Sequence, residues 1–194
     1  MIQSQTRNPD LIYHMNYAPE SKSPDLTQRV RRGFELAKKD RCDVVFVMEN
    51  DDYYHPDYIA FMLMSWFAEG MPEIFGLGHS LYYHIKNRKY HFLLHKERAS
   101  LMNTLVSCSA QINWPKDSEV FLDICLWRSL NGKTILTDGD LLSIGIKHGI
   151  GKCGGIGHTV MKYDYRDADL QYLKSNTGEM FTFYSKLAKN LRGN

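Results

Sequence analysis

Short apolar runs alternate with amphipathic segments along this chain, which is the pattern of a mixed α/β fold. The apolar run over 43–48 predicts a strand that is buried on both faces and paired in parallel. Apolar residues at helical spacing predict a helix from Leu26 to about Lys39, with Asp25 as its cap. A strand over Leu11–Met15 would complete a strand–helix–strand unit with a right-handed crossover.

Turn signals and periodicity define the other elements. Helices are predicted at about 57–69, at Asp117–Asn131 with Gly132 as the C-terminal cap, and at Gly178–Leu191 with a stripe of Met180, Phe183, Tyr184 and Leu187. Strands are predicted at Ile74–Leu77, Ser80–Ile85, Lys89–Leu94, Lys133–Leu136 and Ser143–Ile146, with a hairpin turn at Lys86-Asn87-Arg88. The segment Leu101–Ser109 fits neither class. Together these elements predict one compact domain with a mixed sheet flanked by helices.

Composition places the chain among ordinary globular proteins. Its 194 residues are 43% hydrophobic and 24% charged, and the net charge of +2 neither requires nor excludes nucleic acid. Four cysteines without a CxxC pair predict reduced thiols and a cytoplasmic location. The N-terminus is polar and the longest apolar stretch is short, so neither a signal peptide nor a membrane span is expected.

An acidic turn, Glu49-Asn50-Asp51-Asp52, comes where the strand over 43–48 would leave the sheet. In open α/β sheets this edge binds ligands. Carboxylates this close repel one another unless a cation or solvent compensates them. Such oxygen ligands suit Mg²⁺ or Mn²⁺, and Mg²⁺ is commonly bound by one or two carboxylates together with substrate phosphates. The alternative is a solvated acidic turn, or a helix cap at Asp52.

A glycine-rich stretch over 143–158 is the second unusual feature, with six glycines. Glycines let backbone N–H groups approach a phosphate closely. Lys147 and Lys152 could contact a diphosphate, and His148 or His158 could complete a metal site. His148 is favoured because it ends a predicted strand. The alternative is a plain turn or a lid.

Several segments resemble motifs of one enzyme family in order and spacing. Residues 3–13 are similar to a segment S-x-x-x-Q-T-x-x-P-D-x-I, and residues 28–37 to the helix before an acidic motif. The acidic turn with Tyr54, Pro56 and Tyr58 resembles a DxD motif and its continuation. Residues 123–133 resemble an acceptor-side block. The chain thus resembles the family-2 glycosyltransferases, which have the GT-A fold, over most of residues 3–136.

The resemblance implies a metal-dependent transfer from a nucleoside-diphosphate sugar, with a UDP-sugar as the expected donor and Mn²⁺ or Mg²⁺ as the cofactor. It implies metal ligands at Asp51, Glu49 and His148, a catalytic base at Asp123 if the reaction inverts, and donor contacts at Arg29, Glu49, Asn50, Asp52 and Lys147. Asp117 and Glu119 are alternative bases. Asp123 could instead be an ordinary helix carboxylate paired with Arg128.

Two departures from the family pattern affect this interpretation. The family's first strand and most of its first helix are absent here, so the chain is expected to be a fragment or to be completed by a partner or another segment. Leu122 also replaces the usual Glu of the acceptor block. The expected division is a nucleotide and metal half over 1–60, an acceptor half over 61–160 and a C-terminal helix over 161–194.

Other functions and partners stay open at this point. The alternatives are a catalytically degenerate GT-A-like binding module and a metal-dependent phosphoryl-transfer enzyme of another fold. The acceptor is undefined, with modified DNA as one candidate, and a homo-oligomer is compatible with the sequence. The following side chains are expected in strands, at the surface or in the core, with acceptor stacking as an alternative for the aromatic ones: His79, His84, His91, His95, Tyr82, Tyr83 and Trp114.

Overall fold

The computed structural model describes residues 2–16, 25–149 and 163–191, and these form a mixed α/β domain with two mixed sheets flanked by helices. The first sheet has the strand order β1-β6-β3-β7, with β1 at Val44–Phe46, β3 at Ile74–Leu77, β6 at Thr104–Ser107 and β7 at Lys133–Leu136. Strand β6 runs antiparallel to both β1 and β3, whereas β3 and β7 are parallel. One sheet was expected, and the described residues divide between two.

The second sheet has the strand order β2-β8-β4-β5-β9. Its strands are β2 at Tyr53–Tyr54, β4 at His79–His84, β5 at Lys89–Leu94, β8 at Ser143–Lys147 and β9 at Tyr165–Arg166. The predicted hairpin between β4 and β5 is confirmed, and β8 runs parallel to β4. Because β2 follows the acidic turn and pairs with β8, the second sheet brings this turn to the end of β8.

Five α-helices flank these sheets in the described part of the chain. They are α1 at Leu26–Lys39, α2 at Tyr58–Ala68, α3 at Leu122–Ser129, α4 at Gln171–Thr177 and α5 at Phe181–Asn190. Helices α1 and α3 cover one apolar cluster with the first sheet, and α2 covers a second cluster. Helices α4 and α5 cover a third, over the second sheet. No described helix is both long enough and apolar enough to cross a membrane.

The predicted strand at Leu11–Met15 is wrong. The segment has no strand pairing, and its contacts are with α1 instead: the Tyr13 hydroxyl donates to Asp40 at 2.5 Å, and the Met15 carbonyl accepts from Arg29 at 3.1 Å. Leu11 and Ile12 are exposed. The short apolar run over 11–15 therefore lies against α1 and its C-terminal end.

The predicted parallel, fully buried strand at 43–48 is also wrong in its pairing. Strand β1 is half-buried and antiparallel to β6, which lies within the segment that the sequence left unassigned. A short apolar run does not determine strand direction, because direction depends on the neighbour it pairs with.

Helix α3 begins five residues later than predicted. Asp117 forms an ion pair with Arg31 at 2.8 Å instead of capping the helix, and Phe121 donates its N–H to Glu119 at 2.9 Å. Gly132 is not the helix cap either; its N–H donates to Glu73 at 3.0 Å where β7 begins. The sequence missed β2, β9 and α4, and Phe183, which was predicted on the apolar stripe of the last helix, is exposed.

Candidate active site

The acidic turn and the end of β8 meet because β2 pairs with β8 in the register Tyr53 with Ile144. Residues 49–52 come directly before β2, and residues 147–148 come at the end of β8. The acidic turn connects β1 of the first sheet to β2 of the second, and His148 follows β8 of the second sheet. Of the glycine-rich stretch, residues 143–149 are described, whereas Lys152 and His158 lie outside the described residues.

Asp51 and His148 face each other across this junction. The Asp51 carboxylate oxygen Oδ2 lies 3.0 Å from His148 Nε2, and the two side chains are 37% and 22% exposed. The Tyr184 hydroxyl donates to the Asp51 carbonyl at 3.5 Å. A carboxylate oxygen and an imidazole nitrogen from residues 97 positions apart in the chain therefore lie side by side at a partly exposed position.

Asp52 points the other way and is completely buried. Its Oδ1 accepts the Ile146 N–H at 2.8 Å and lies 3.9 Å from the Lys147 ammonium. Asp52 Oδ2 has no hydrogen-bond partner within the described residues. The side chain expected to contact the donor thus fixes the backbone of β8 next to His148.

Lys147 is the buried cation of the site. Its ammonium also lies 5.4 Å from the centre of the Tyr82 ring, and the side chain is about nine-tenths buried. Burial lowers the pKa of Lys147, but the nearby carboxylates of Asp52, Glu49 and Asp51 outweigh burial and raise it above the ordinary value. Lys147 therefore stays charged at neutral pH.

Burial acts in the opposite direction on the carboxyl groups. It raises the pKa of Asp52 well above its ordinary value, against the opposing effect of Lys147. Burial also raises the pKa of half-buried Glu49, and the charges of Asp51 and Asp123 add to this. The Glu49 N–H donates to the Tyr54 hydroxyl at 3.0 Å, which fixes the start of the turn.

Asp123, the predicted base, lies in the first turn of α3 and forms an ion pair with Arg98. Its carboxylate is close enough to Glu49 to raise the pKa of that group. The sequence offered Arg128 as its structural partner, whereas Arg98 is the partner observed. Arg98 lies in a polar stretch without a recognisable motif, so nothing in the sequence singled it out.

Two histidines that the sequence assigned to strands or the surface line the Lys147 side of the second sheet. His84 pairs with Lys147 across the strands and is 2% exposed; His91 is 3% exposed. Burial lowers the pKa of both. Neither nitrogen of His91, nor Nε2 of His84, has a hydrogen-bond partner in the described chain. The alternation of the hairpin strands was a signal that could have placed them beside Tyr82.

The remaining predicted residues have various positions. Arg29 forms an ion pair with Asp25 at 3.2 Å, and its charge reaches Glu49, whose pKa it lowers. Asn50 is exposed on the turn. Trp114 packs edge-on against Phe34, with ring centres 5.7 Å apart, in the cluster of α1 and α3.

Two of the segments that resemble the family motifs, residues 3–13 and 49–58, contact each other directly. The Gln5 side chain donates to the His55 carbonyl at 2.8 Å and accepts the Ile59 N–H at 3.0 Å. The Thr6 hydroxyl donates to Asp57 at 2.8 Å. Gln5 thus satisfies a free N–H at the start of α2 and fixes the chain after the acidic turn.

Within 2–16, 25–149 and 163–191, no three His, Cys, Asp or Glu side chains converge as a metal site. A metal at Asp51 and His148 would therefore have two ligands among these residues. No protein-family model matches the chain, and a search of curated proteins finds no relative. The arrangement of the chain's own residues is therefore the basis for inferring its function.

Proposed function

We propose that the protein is a GT-A-type glycosyltransferase that uses a divalent metal and a nucleoside-diphosphate sugar, with a UDP-sugar as the expected donor. The observation that carries this proposal is the 3.0 Å approach of Asp51 Oδ2 to His148 Nε2. The resemblance implies metal ligands at Asp51, Glu49 and His148, and two of these three are in contact.

The pair fits a hydrated divalent ion. Asp51 would supply a carboxylate oxygen to such an ion and His148 an imidazole nitrogen. Mg²⁺ usually keeps several waters and combines one or two protein ligands with substrate phosphates, so a third side chain is not required. When bound, the ion would neutralise charge on the departing diphosphate.

Lys147 and Asp52 fix the position of the strand end that carries His148. Asp52 holds the Ile146 N–H and lies beside Lys147, so the end of β8 is fixed where His148 begins. The Lys147 charge compensates part of the repulsion among the carboxylates of the turn. In this proposal Asp52 positions the site, while Asp51 and Glu49 face the donor.

Asp123 is the proposed base for the acceptor hydroxyl. Arg98 forms an ion pair with its carboxylate, and the charge of Asp123 contributes to the raised pKa of Glu49, which supports a role for Asp123 near the acidic turn. A carboxylate that is held beside the donor can take the acceptor proton as the new bond forms. Arg29 contributes positive charge at the same edge.

Thermal unfolding with UDP, GDP or TDP, each with and without Mn²⁺, tests donor binding. We expect a stabilisation by one nucleotide that requires Mn²⁺, because the Asp51–His148 pair would hold the ion and the ion would offset the negative charge of the diphosphate. Asp51→Asn and His148→Ala should abolish this shift. The matched controls Asp138→Asn and His14→Ala change exposed residues and should retain it.

Catalysis is tested by nucleotide release from the donor that binds. Asp123→Asn should retain the Mn²⁺-dependent thermal shift and lose turnover in the presence of an acceptor. Binding without release by the parent protein would favour a degenerate binding module. Absence of a metal-dependent shift with every nucleotide would refute the proposal.

A further inference from the structure

Strand β1 forms one edge of the first sheet, with β6 on its inner side. The apolar run over 44–48 that contains β1 has no charged residue, proline or glycine. Every residue of this run is half-buried, whereas β6 and β3 in the interior of the same sheet are completely buried. The described residues therefore cover this apolar edge only in part.

The other three edge strands of the described sheets are protected from pairing with another chain. Strands β2 and β9 have two residues each, and β7 begins with exposed Lys133. Very short strands and lysines are devices by which proteins keep sheet edges from pairing. The run over 44–48 is longer and carries no lysine, so β1 is the edge suited to accept a further strand.

Four main-chain groups of β1 point to this open edge. The Cys108 N–H donates to the Asp43 carbonyl at 2.8 Å, so Asp43 faces β6. Hydrogen-bonding direction alternates along an antiparallel strand, so Val45 also faces β6, while Val44 and Phe46 direct their N–H and C=O groups away from it. No other described segment forms a main-chain hydrogen bond with these four groups.

We propose that the protein forms a two-fold symmetric dimer, in which the β1 strands of two copies pair antiparallel across this edge. Val44 of one copy lies opposite Phe46 of the other, and each of the two such pairs exchanges two hydrogen bonds. All four open groups of each copy are then satisfied, and the first sheets of the two copies become one continuous sheet. The proposal does not depend on the proposed function.

This register keeps like charges apart. Asp43 of one copy comes opposite Val47 of the other. A register with Phe46 on the two-fold axis would instead place Asp43 opposite Glu49. Like charges directly opposite each other destabilise a sheet, so the register with Val45 on the axis is favoured.

The side chains of the edge favour a second copy over a polar peptide. The run contributes to two apolar clusters, one on each face of the sheet, through Val45 and Val47 on one face and Val44, Phe46 and Met48 on the other. A strand added here has to be apolar on both faces to extend these clusters. A second β1 meets this requirement, because a two-fold contact joins the same surface of both copies.

Sedimentation velocity of the full chain across the micromolar range tests the dimer, which should have twice the chain mass of 22.5 kDa. Val44→Pro removes an N–H that faces the open edge and leaves the bonds to β6 intact. It should raise the dissociation constant roughly five- to a hundredfold, because each copy loses one hydrogen bond. Val44→Lys should act in the same direction. Val44→Thr keeps the shape and the N–H and should retain the dimer.

A disulfide tests the register. Val45 lies opposite Val45 of the other copy in a non-hydrogen-bonded pair, where Cα atoms are about 4.5 Å apart, within the range that a disulfide spans. Val45→Cys should therefore give a covalent dimer with glutathione disulfide on a non-reducing gel. The parent chain, with its own cysteines, and Val47→Cys should not.

Met64→Lys on α2 is the control for general apolar association, because Met64 is 73% exposed and distant in sequence from the edge. It should leave the dimer unchanged, and far-UV circular dichroism checks that every variant is folded. A parent chain that stays monomeric throughout the range would overturn the proposal. So would equal association by the parent, Val44→Pro and Val44→Lys, or dissociation caused by Met64→Lys in their place.

Discussion

The two faces of the second sheet bury different chemistry although the same strands build them. On one face, Leu81 and Ile146 are completely buried beneath α4 and α5. On the other face, the neighbouring positions carry His84, His91 and Lys147, which are also buried. Among the described residues, one face is mainly apolar, and the other buries a cation and imidazole nitrogens that have no hydrogen-bond partner.

Burial of unpartnered polar atoms is unfavourable, and folded proteins keep few of them. The apolar face shows that this sheet can be covered without such groups. The polar face ends at the Asp51–His148 pair, so the unfavourable burial of polar atoms occurs next to the proposed site. Polar groups that oppose stability in one region and adjoin a candidate site are best explained by a functional requirement.

Removal of the buried cation should have the largest effect on stability. Lys147→Met leaves Asp52 and Glu49 without their positive partner, and we expect the free energy of unfolding to fall by about 3–5 kcal/mol. Urea denaturation at pH 7 measures this. Exposed Lys89→Met should change it by less than about 0.5 kcal/mol. A neutral or stabilising effect of Lys147→Met would show that the polar face does not depend on its charge.

Loss of one hydrogen bond on the apolar face should lower the free energy of unfolding by a smaller amount. Tyr83→Phe keeps the buried ring and removes the 2.8 Å bond to Asp167. We expect a loss of about 1.5–3 kcal/mol, because a buried carboxylate loses a donor. Tyr165→Phe removes an exposed hydroxyl and is the control in the same urea titration. The Tyr172 and Leu173 N–H groups of α4 also donate to Asp167, each at 3.0 Å. Equal stability of both variants would mean that these two bonds satisfy Asp167 without Tyr83.

Local patterns predicted much of the fold, because helix periodicity and turn residues act within a few positions. The strand Ile74–Leu77 and the β4–β5 hairpin match the structure for this reason. The direction of β1 could not be predicted from local patterns, because its partner β6 lies about 60 residues away in a segment without clear periodicity. Division into two sheets likewise depends on long-range pairing.

The candidate site shows the same limit. Carboxylate clustering identified Asp51, and position at a strand end identified His148, yet only pairing of β2 with β8 brings them together. Arg98 lacked any sequence signal, because an arginine in a polar segment has no expected partner. Asp52 was assigned to the donor, since the sequence does not indicate which of two adjacent carboxylates points into the core.

The polar face of the second sheet should also differ from the apolar face in how its contribution to stability depends on pH. Burial lowers the pKa of His91 in the folded protein, whereas in the unfolded chain it is about 6.5. The unfolded state therefore binds more protons as the pH falls below about 6.5, and stability is lost toward the folded pKa. His91→Leu should be near-neutral at pH 7.5 and more stable than the parent at pH 5.5, as measured by urea titrations at both values. A constant difference at both pH values would contradict burial of a neutral His91.

The smallest effect on stability is expected where the proposed function is concentrated. Asp51 and His148 are partly exposed, and such pairs contribute about 0–1 kcal/mol, so Asp51→Asn should leave urea denaturation almost unchanged. The same variant should lose the Mn²⁺-dependent nucleotide shift completely. Lys147→Met would combine both losses and could not separate them. A large destabilisation by Asp51→Asn would instead show that Asp51 is a structural carboxylate, and the polar face would then have to be explained as part of the folding core.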